Sequence, residues 1–118
     1  MSYASISEYM MDPGNESAGS SPNFRLTKRL QCNDGFHISV QASEGAYSEP
    51  RSNEGPWYAF ELGFPSATPN DEVMSYAEQP EAPTDTVYGY VPAEVVDRLL
   101  VEHGGIKGAF VKATGETP

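Results

Sequence analysis

Apolar and polar positions alternate in segments between Phe24 and Phe64 and give way to helical spacing near the end of the chain. From residue 24, Phe24, Leu26, Leu30 and Cys32 fall on one side and Arg25, Arg29 and Gln31 on the other, with Lys28 interrupting the apolar row. A period of two is that of a strand. Asn33, Asp34 and Gly35 tolerate the left-handed backbone of a tight turn, and Phe36, Ile38, Val40 and Ala42 then resume the alternation. A hairpin over residues 25–42 is expected. A third strand is predicted from Trp57 to Phe64, with Tyr58, Phe60, Leu62 and Phe64 facing the core, Trp57, Ala59, Glu61 and Gly63 facing outward, and Pro65 ending it. The intervening residues 43–56, punctuated by glycine and proline, read as a long surface loop.

Thr68, followed by Pro69, Asn70 and Asp71, has the order of an N-cap, a first-turn proline and a carboxylate at the positive end of a helix dipole. The first helix is predicted over 69–79 with Val73, Met74, Tyr76 and Ala77 as its apolar set, and Pro80 and Pro83 prevent continuation. Residues 86–91 make a short β segment with Val87 and Gly89 on one side and Tyr88 and Tyr90 on the other. Pro92 opens the second helix, in which Val95, Val96, Leu99 and Leu100 form a continuous stripe while Glu94, Asp97, Arg98 and Glu102 face water. Gly104 and Gly105 stop it in left-handed geometry, Ile106 folds back on the last turn, and an edge strand is expected at Ala109 to Val111. Residues 1–22, rich in serine, glycine and proline, read as a flexible tail, with Ile6, Tyr9, Met10 and Met11 spaced to dock on a neighbouring subunit. The expected fold is α+β: a small antiparallel β-sheet with two short C-terminal α-helices, in one domain over 23–118.

The length of 118 residues suits one modest core. No run approaches the roughly 18 apolar residues of a spanning helix, and no secretory signal is visible, so a cytosolic protein is expected. The lone Cys32 lies at an alternating position where a small apolar side chain packs, and it reads as buried filler. The net charge is −10, and residues 44–102 carry all of it, twelve acids against Arg51 and Arg98. Such a field repels nucleic acid and anionic membranes, so direct contact with either is not expected.

The chain carries no GxSxG elbow, no HExxH helix and no phosphate loop. His37 on the polar face of the hairpin and His103 in the last turn of the second helix lack a second ligand at helical spacing, and the adjacent Asp71 and Glu72 point about 100° apart on a helix. No catalytic residue, metal or cofactor is expected. Instead, aromatic and polar side chains stand where a fold does not demand them. Tyr47, Arg51 and Asn53 lie in the long loop, Trp57 on the outward strand face, and Tyr88 and Tyr90 flank Gly89. Rings sandwich a base, a guanidinium meets phosphate oxygens, and an amide holds sugar hydroxyls. These six residues are the candidate ligand site: Tyr47, Trp57 or Tyr90 for stacking, Arg51 for a pyrophosphate and Asn53 for ribose.

The order of CNDGFHISVQAS, the SEPR loop, ELGFPS and TVYGYVPAEVVDRLLVEHGGI resembles small phage-encoded proteins, in particular the first Thoeris anti-defence family. The resemblance spans residues 28–106 and excludes the N-terminal tail. It implies a protein of the host bacterial cytoplasm that binds and sequesters a cyclic ADP-ribose isomer without cleaving it, as a homo-oligomer with ligand held between subunits. The alternative of a different class is an acidic protein-binding inhibitor, a nucleic-acid mimic of anti-restriction or anti-CRISPR type, directed at a basic host defence protein.

Overall fold

A computed structural model of the protein describes residues 3–17 and 25–110. Strands β1 (Leu30–Cys32), β2 (His37–Gln41), β3 (Ala59–Gly63), β4 (Val87–Pro92) and β5 (Ile106–Ala109) form one antiparallel sheet in the order β4-β3-β2-β1-β5. Helices α1 (Ile6–Met11), α2 (Asp71–Met74) and α3 (Ala93–Glu102) complete the fold, with a short 3-10 turn at Pro13–Asn15. The architecture is α+β, as the sequence pattern predicts. None of these helices is long and apolar enough to cross a membrane.

Helix α3 buries Val95, Val96, Leu99 and Leu100 in a core shared with Leu30, Ile38, Val40, Phe60, Leu62 and Val91 of the sheet. Its end follows the predicted stop. Gly104 and Gly105 have φ of 88° and 89°, and their N–H groups donate to the carbonyls of Val101 (3.0 Å) and Leu100 (2.9 Å), the paired bonds of a Schellman cap. The β1–β2 turn docks on that cap, because the Asn33 amide donates to the Gly104 carbonyl at 2.8 Å and the Asp34 N–H to the His103 carbonyl at 3.1 Å.

Four expectations are corrected. The segment read as a flexible tail contributes α1, whose Ile6, Tyr9 and Met10 are buried in the protein's own core rather than against a neighbouring subunit. Six residues cannot hold a helix by propensity. Tertiary contacts hold this one: the Ser5 side chain caps it, Asp97 of α3 accepts the Ile6 N–H at 2.7 Å, and Tyr9 donates its hydroxyl to the Lys28 carbonyl at 2.9 Å. The first predicted helix shrinks to Asp71–Met74, capped by Asn70 rather than Thr68, because Ala77 and Glu78 leave the helix to pair with Tyr88 and Val87 at the sheet edge. The first strand begins at Leu30 instead of residue 25, and the chain before it reverses the expected faces, burying Arg25 and Thr27 and exposing Leu26. The last strand is Ile106–Ala109 rather than 109–111, and Phe24 and Val111 lie outside the described residues.

Candidate functional site

One sheet face carries the helices; the other is polar. Along β2 the buried Ile38 and Val40 alternate with His37, Ser39 and Gln41, and the register sets Ser39 beside Gly63 and Gln41 beside Glu61. At one end of this face lies a cleft of about 370 Å³ lined by Arg25, Gln41, Glu44, Asn53 and Glu61 among others. That volume is at the small end of the roughly 300–1,000 Å³ typical of ligand pockets.

A bulge in β4 lies opposite Glu61, one of the lining residues. Phe60 pairs with Val91 and Leu62 with Tyr88, so Gly89 and Tyr90 together face Glu61. The extra residue switches the side on which Tyr90 emerges, with φ of 56° at that position. Tyr88 is fully buried whereas Tyr90 is 41 % exposed. Alternation without a bulge places the two on one face, which is why the sequence pairs them wrongly. Tyr90 stacks on Tyr47 with ring centroids 5.8 Å apart, its N–H donates to the Tyr47 carbonyl at 2.9 Å, and the Tyr47 N–H donates to Glu61 Oε1 at 2.9 Å. Gly89 is the floor under this pair, since a Cβ there would lie 3.3 Å from the Tyr47 Cβ.

Of the six residues predicted for the site, Asn53 lines the cleft, while Tyr47 and Tyr90 form a stacked pair beside it, tied to the lining residue Glu61 through the Tyr47 N–H. The Asn53 Oδ1 accepts the Glu44 N–H at 2.9 Å. Arg51 is exposed on the same loop and is not part of the lining. Trp57 and Tyr88 are buried and do not line the cleft. Tyr88 belongs to the core and donates its hydroxyl to the Pro83 carbonyl. Trp57, expected to face outward, is buried because it precedes the β3 ladder and turns under the loop. Its indole N–H donates to the Ser52 carbonyl at 2.9 Å, and the Arg25 guanidinium sits 4.5 Å from its ring centroid.

Sequence reasoning missed Glu61, Gln41, Glu44 and Arg25. Glu61 had a signal, being an acid on the outward face of a strand opposite a strand glycine, and glycine inside a strand often marks a bulge. Arg25 had none. It is 7 % exposed, donates from Nη1 to Thr27 Oγ1 and the Ala42 carbonyl (both 2.9 Å) and from Nη2 to the Met10 carbonyl (2.7 Å), and lies 4.0 Å from Glu16. Burial lowers its pKa, against the pull of Glu16.

The other titratable groups are tied into the fold. His37 accepts from Arg29 Nε at Nδ1 (2.7 Å) and stacks on Phe110 at 4.1 Å, and burial followed by the charge of Arg29 lowers its pKa. His103 stacks on Phe36 at 3.9 Å with Nδ1 2.7 Å from Asp34, pinning the β1–β2 turn to the end of α3. Cys32 is buried and free, its thiol pushed up to about 12 by desolvation. Among the described residues no group of three or more His, Cys, Asp or Glu side chains is placed to hold a metal ion.

No family model, curated protein or solved structure matches this chain.

Proposed function

We propose that the protein is a binding protein that holds a small nucleotide at the Tyr47–Tyr90 cleft and sequesters it without cleavage. The ligand class follows the sequence resemblance, a cyclic ADP-ribose isomer acting as an immune signal. The observation that carries the reading is the stacked tyrosine pair bonded through the Tyr47 N–H to Glu61, which lines the adjacent cleft with Gln41, Glu44 and Asn53. A ring pair of this kind offers a face to a base. Arg51, on the loop that supplies Tyr47 and Asn53, is the cation available for the diphosphate. The cleft is too small to enclose an entire dinucleotide, and a second copy of the chain covering the exposed tyrosines is the proposed completion of the site.

Thermal melting with cyclic ADP-ribose isomers tests this directly. Binding raises the melting temperature, and heat denaturation afterwards releases the isomer intact. Calorimetry on Arg51→Ala and Tyr47→Ala then shows at least a tenfold loss of affinity for each. No melting shift with any isomer, or recovery of a cleaved product, overturns the proposal.

A second reading has its own observation. Asp71, Glu72, Glu94 and Glu102 are exposed around α2 and α3, where Arg98 is already paired with Glu72 at 2.6 Å. This acidic face suits a basic protein partner. An inhibitor of that kind loses its partner steeply as salt rises, whereas nucleotide binding in the cleft is far less sensitive.

A further inference from the structure

Resting on that reading, we propose that Glu61 is the specificity-determining residue of the cleft and that it selects a ribose carrying a free vicinal diol. Two of the side chains that line the cleft spend donors on the protein: the Arg25 guanidinium on Thr27, Ala42 and Met10, and the Gln41 amide on the Thr27 carbonyl and Ser39 Oγ, the latter two at 3.0 Å. The Gln41 carbonyl is committed too, accepting the Thr27 N–H at 2.9 Å. The carboxylates are different. Glu61 receives the Tyr47 N–H on Oε1, leaving Oε2 to accept, and Glu44 is exposed at the same cleft.

A carboxylate oxygen left open at the cleft takes a group that brings donors of its own. A phosphate brings only acceptors and negative charge, so it gains nothing from Glu61 and is repelled by it. A ribose diol brings two hydroxyl donors, and a carboxylate is the acceptor that nucleotide sites use for them. The geometry also fixes the order of the ligand's parts. Glu61 faces the Gly89–Tyr90 bulge and is bonded to the Tyr47 backbone, so the group it holds lies next to the tyrosine stack. Base on the tyrosines, ribose on Glu61 and phosphates outside toward Arg51 is the arrangement that satisfies all three.

The test uses adenosine and 2′,3′-O-isopropylidene adenosine as probes, titrated into the full chain and followed by the backbone amide resonances of Tyr47 and Gly89. Adenosine shifts both saturably, and the blocked nucleoside binds about tenfold more weakly. Glu61→Gln keeps an acceptor for the Tyr47 N–H and so keeps the fold, yet it weakens adenosine by a similar factor and erases the difference between the two probes. Equal affinity for the two nucleosides, wild-type discrimination in Glu61→Gln, or no saturable shift with adenosine each overturns the diol assignment. Melting with cyclic ADP-ribose isomers keeps this separate from the sequestration reading: a melting shift alongside equal nucleoside affinities removes Glu61 and leaves that reading standing. Absence of a melting shift removes the reading itself.

Discussion

A methyl group added at Gly55 would lie 2.5 Å from the Met11 sulfur and 2.6 Å from the Trp57 ring, so this position has no room for a side chain. The sulfur can swing aside because Met11 is half exposed, but the indole is held by Ser52 and Arg25. Gly55→Ala is therefore expected to destabilise the protein by about 1–3 kcal/mol, read by urea denaturation. Gly89→Ala works differently. Its added carbon presses on the exposed Tyr47 at 3.3 Å and not on the core, so melting is expected to change little, and on the proposed function the affinity for a cyclic ADP-ribose isomer is expected to fall in calorimetry. At this scale the sequence was a poor guide to Trp57, Tyr88 and Arg25. Each was sorted by strand alternation, and each sits where the alternation fails: before the ladder begins, at a bulge, or in a segment that never joins the sheet.

Among the elements, α3 was the most legible. Its stripe, its proline entry and its double-glycine stop all lie within fourteen consecutive residues, and every one depends on local geometry that the backbone enforces by itself. Leu99→Ala is expected to cost about 2–5 kcal/mol in chemical denaturation, since the residue is fully buried under the sheet. Gly104→Ala must adopt φ of 88° with a side chain and approach Asn33 at 3.3 Å, so a further loss of about 1 kcal/mol is expected there. Helix α1 was illegible for the opposite reason. Its stability comes from Asp97 and from the Lys28 carbonyl, 91 and 19 residues away, and no window of local sequence contains those partners. The shortened α2 has the same cause, because the residues that the pattern assigned to its last turns are drawn off to pair with β4.

For the whole molecule, pH reports on how the charges are built into the fold. His37 has its pKa lowered, first by burial and then by Arg29, so the folded state disfavours its protonated form. Below the ordinary histidine value of about 6.5 the unfolded chain binds the extra proton, so stability falls as pH drops from there toward the lowered folded value. Melting curves from pH 7.5 to 5 should show this decline, and His37→Gln should flatten it. A second loss lies lower. Asp34 is held down by the Phe36 N–H and then His103, and Glu72 by Arg98, so their contributions disappear as the pH falls below the ordinary carboxylate range through their lowered values. The net charge of −10 adds self-repulsion that salt relieves, independent of any ligand. By itself the sequence determined the α+β class, the strand and helix order from Leu30 to Ile106, the acidic field and a loop rich in ligand-type side chains, because period, capping and charge are local or additive properties. Only the tertiary structure decided which of those side chains share a cleft. A one-residue bulge in β4, a buried arginine and a six-residue helix are each fixed by contacts between distant parts of the chain, and the bulge sets Tyr90 against Tyr47 beside Glu61.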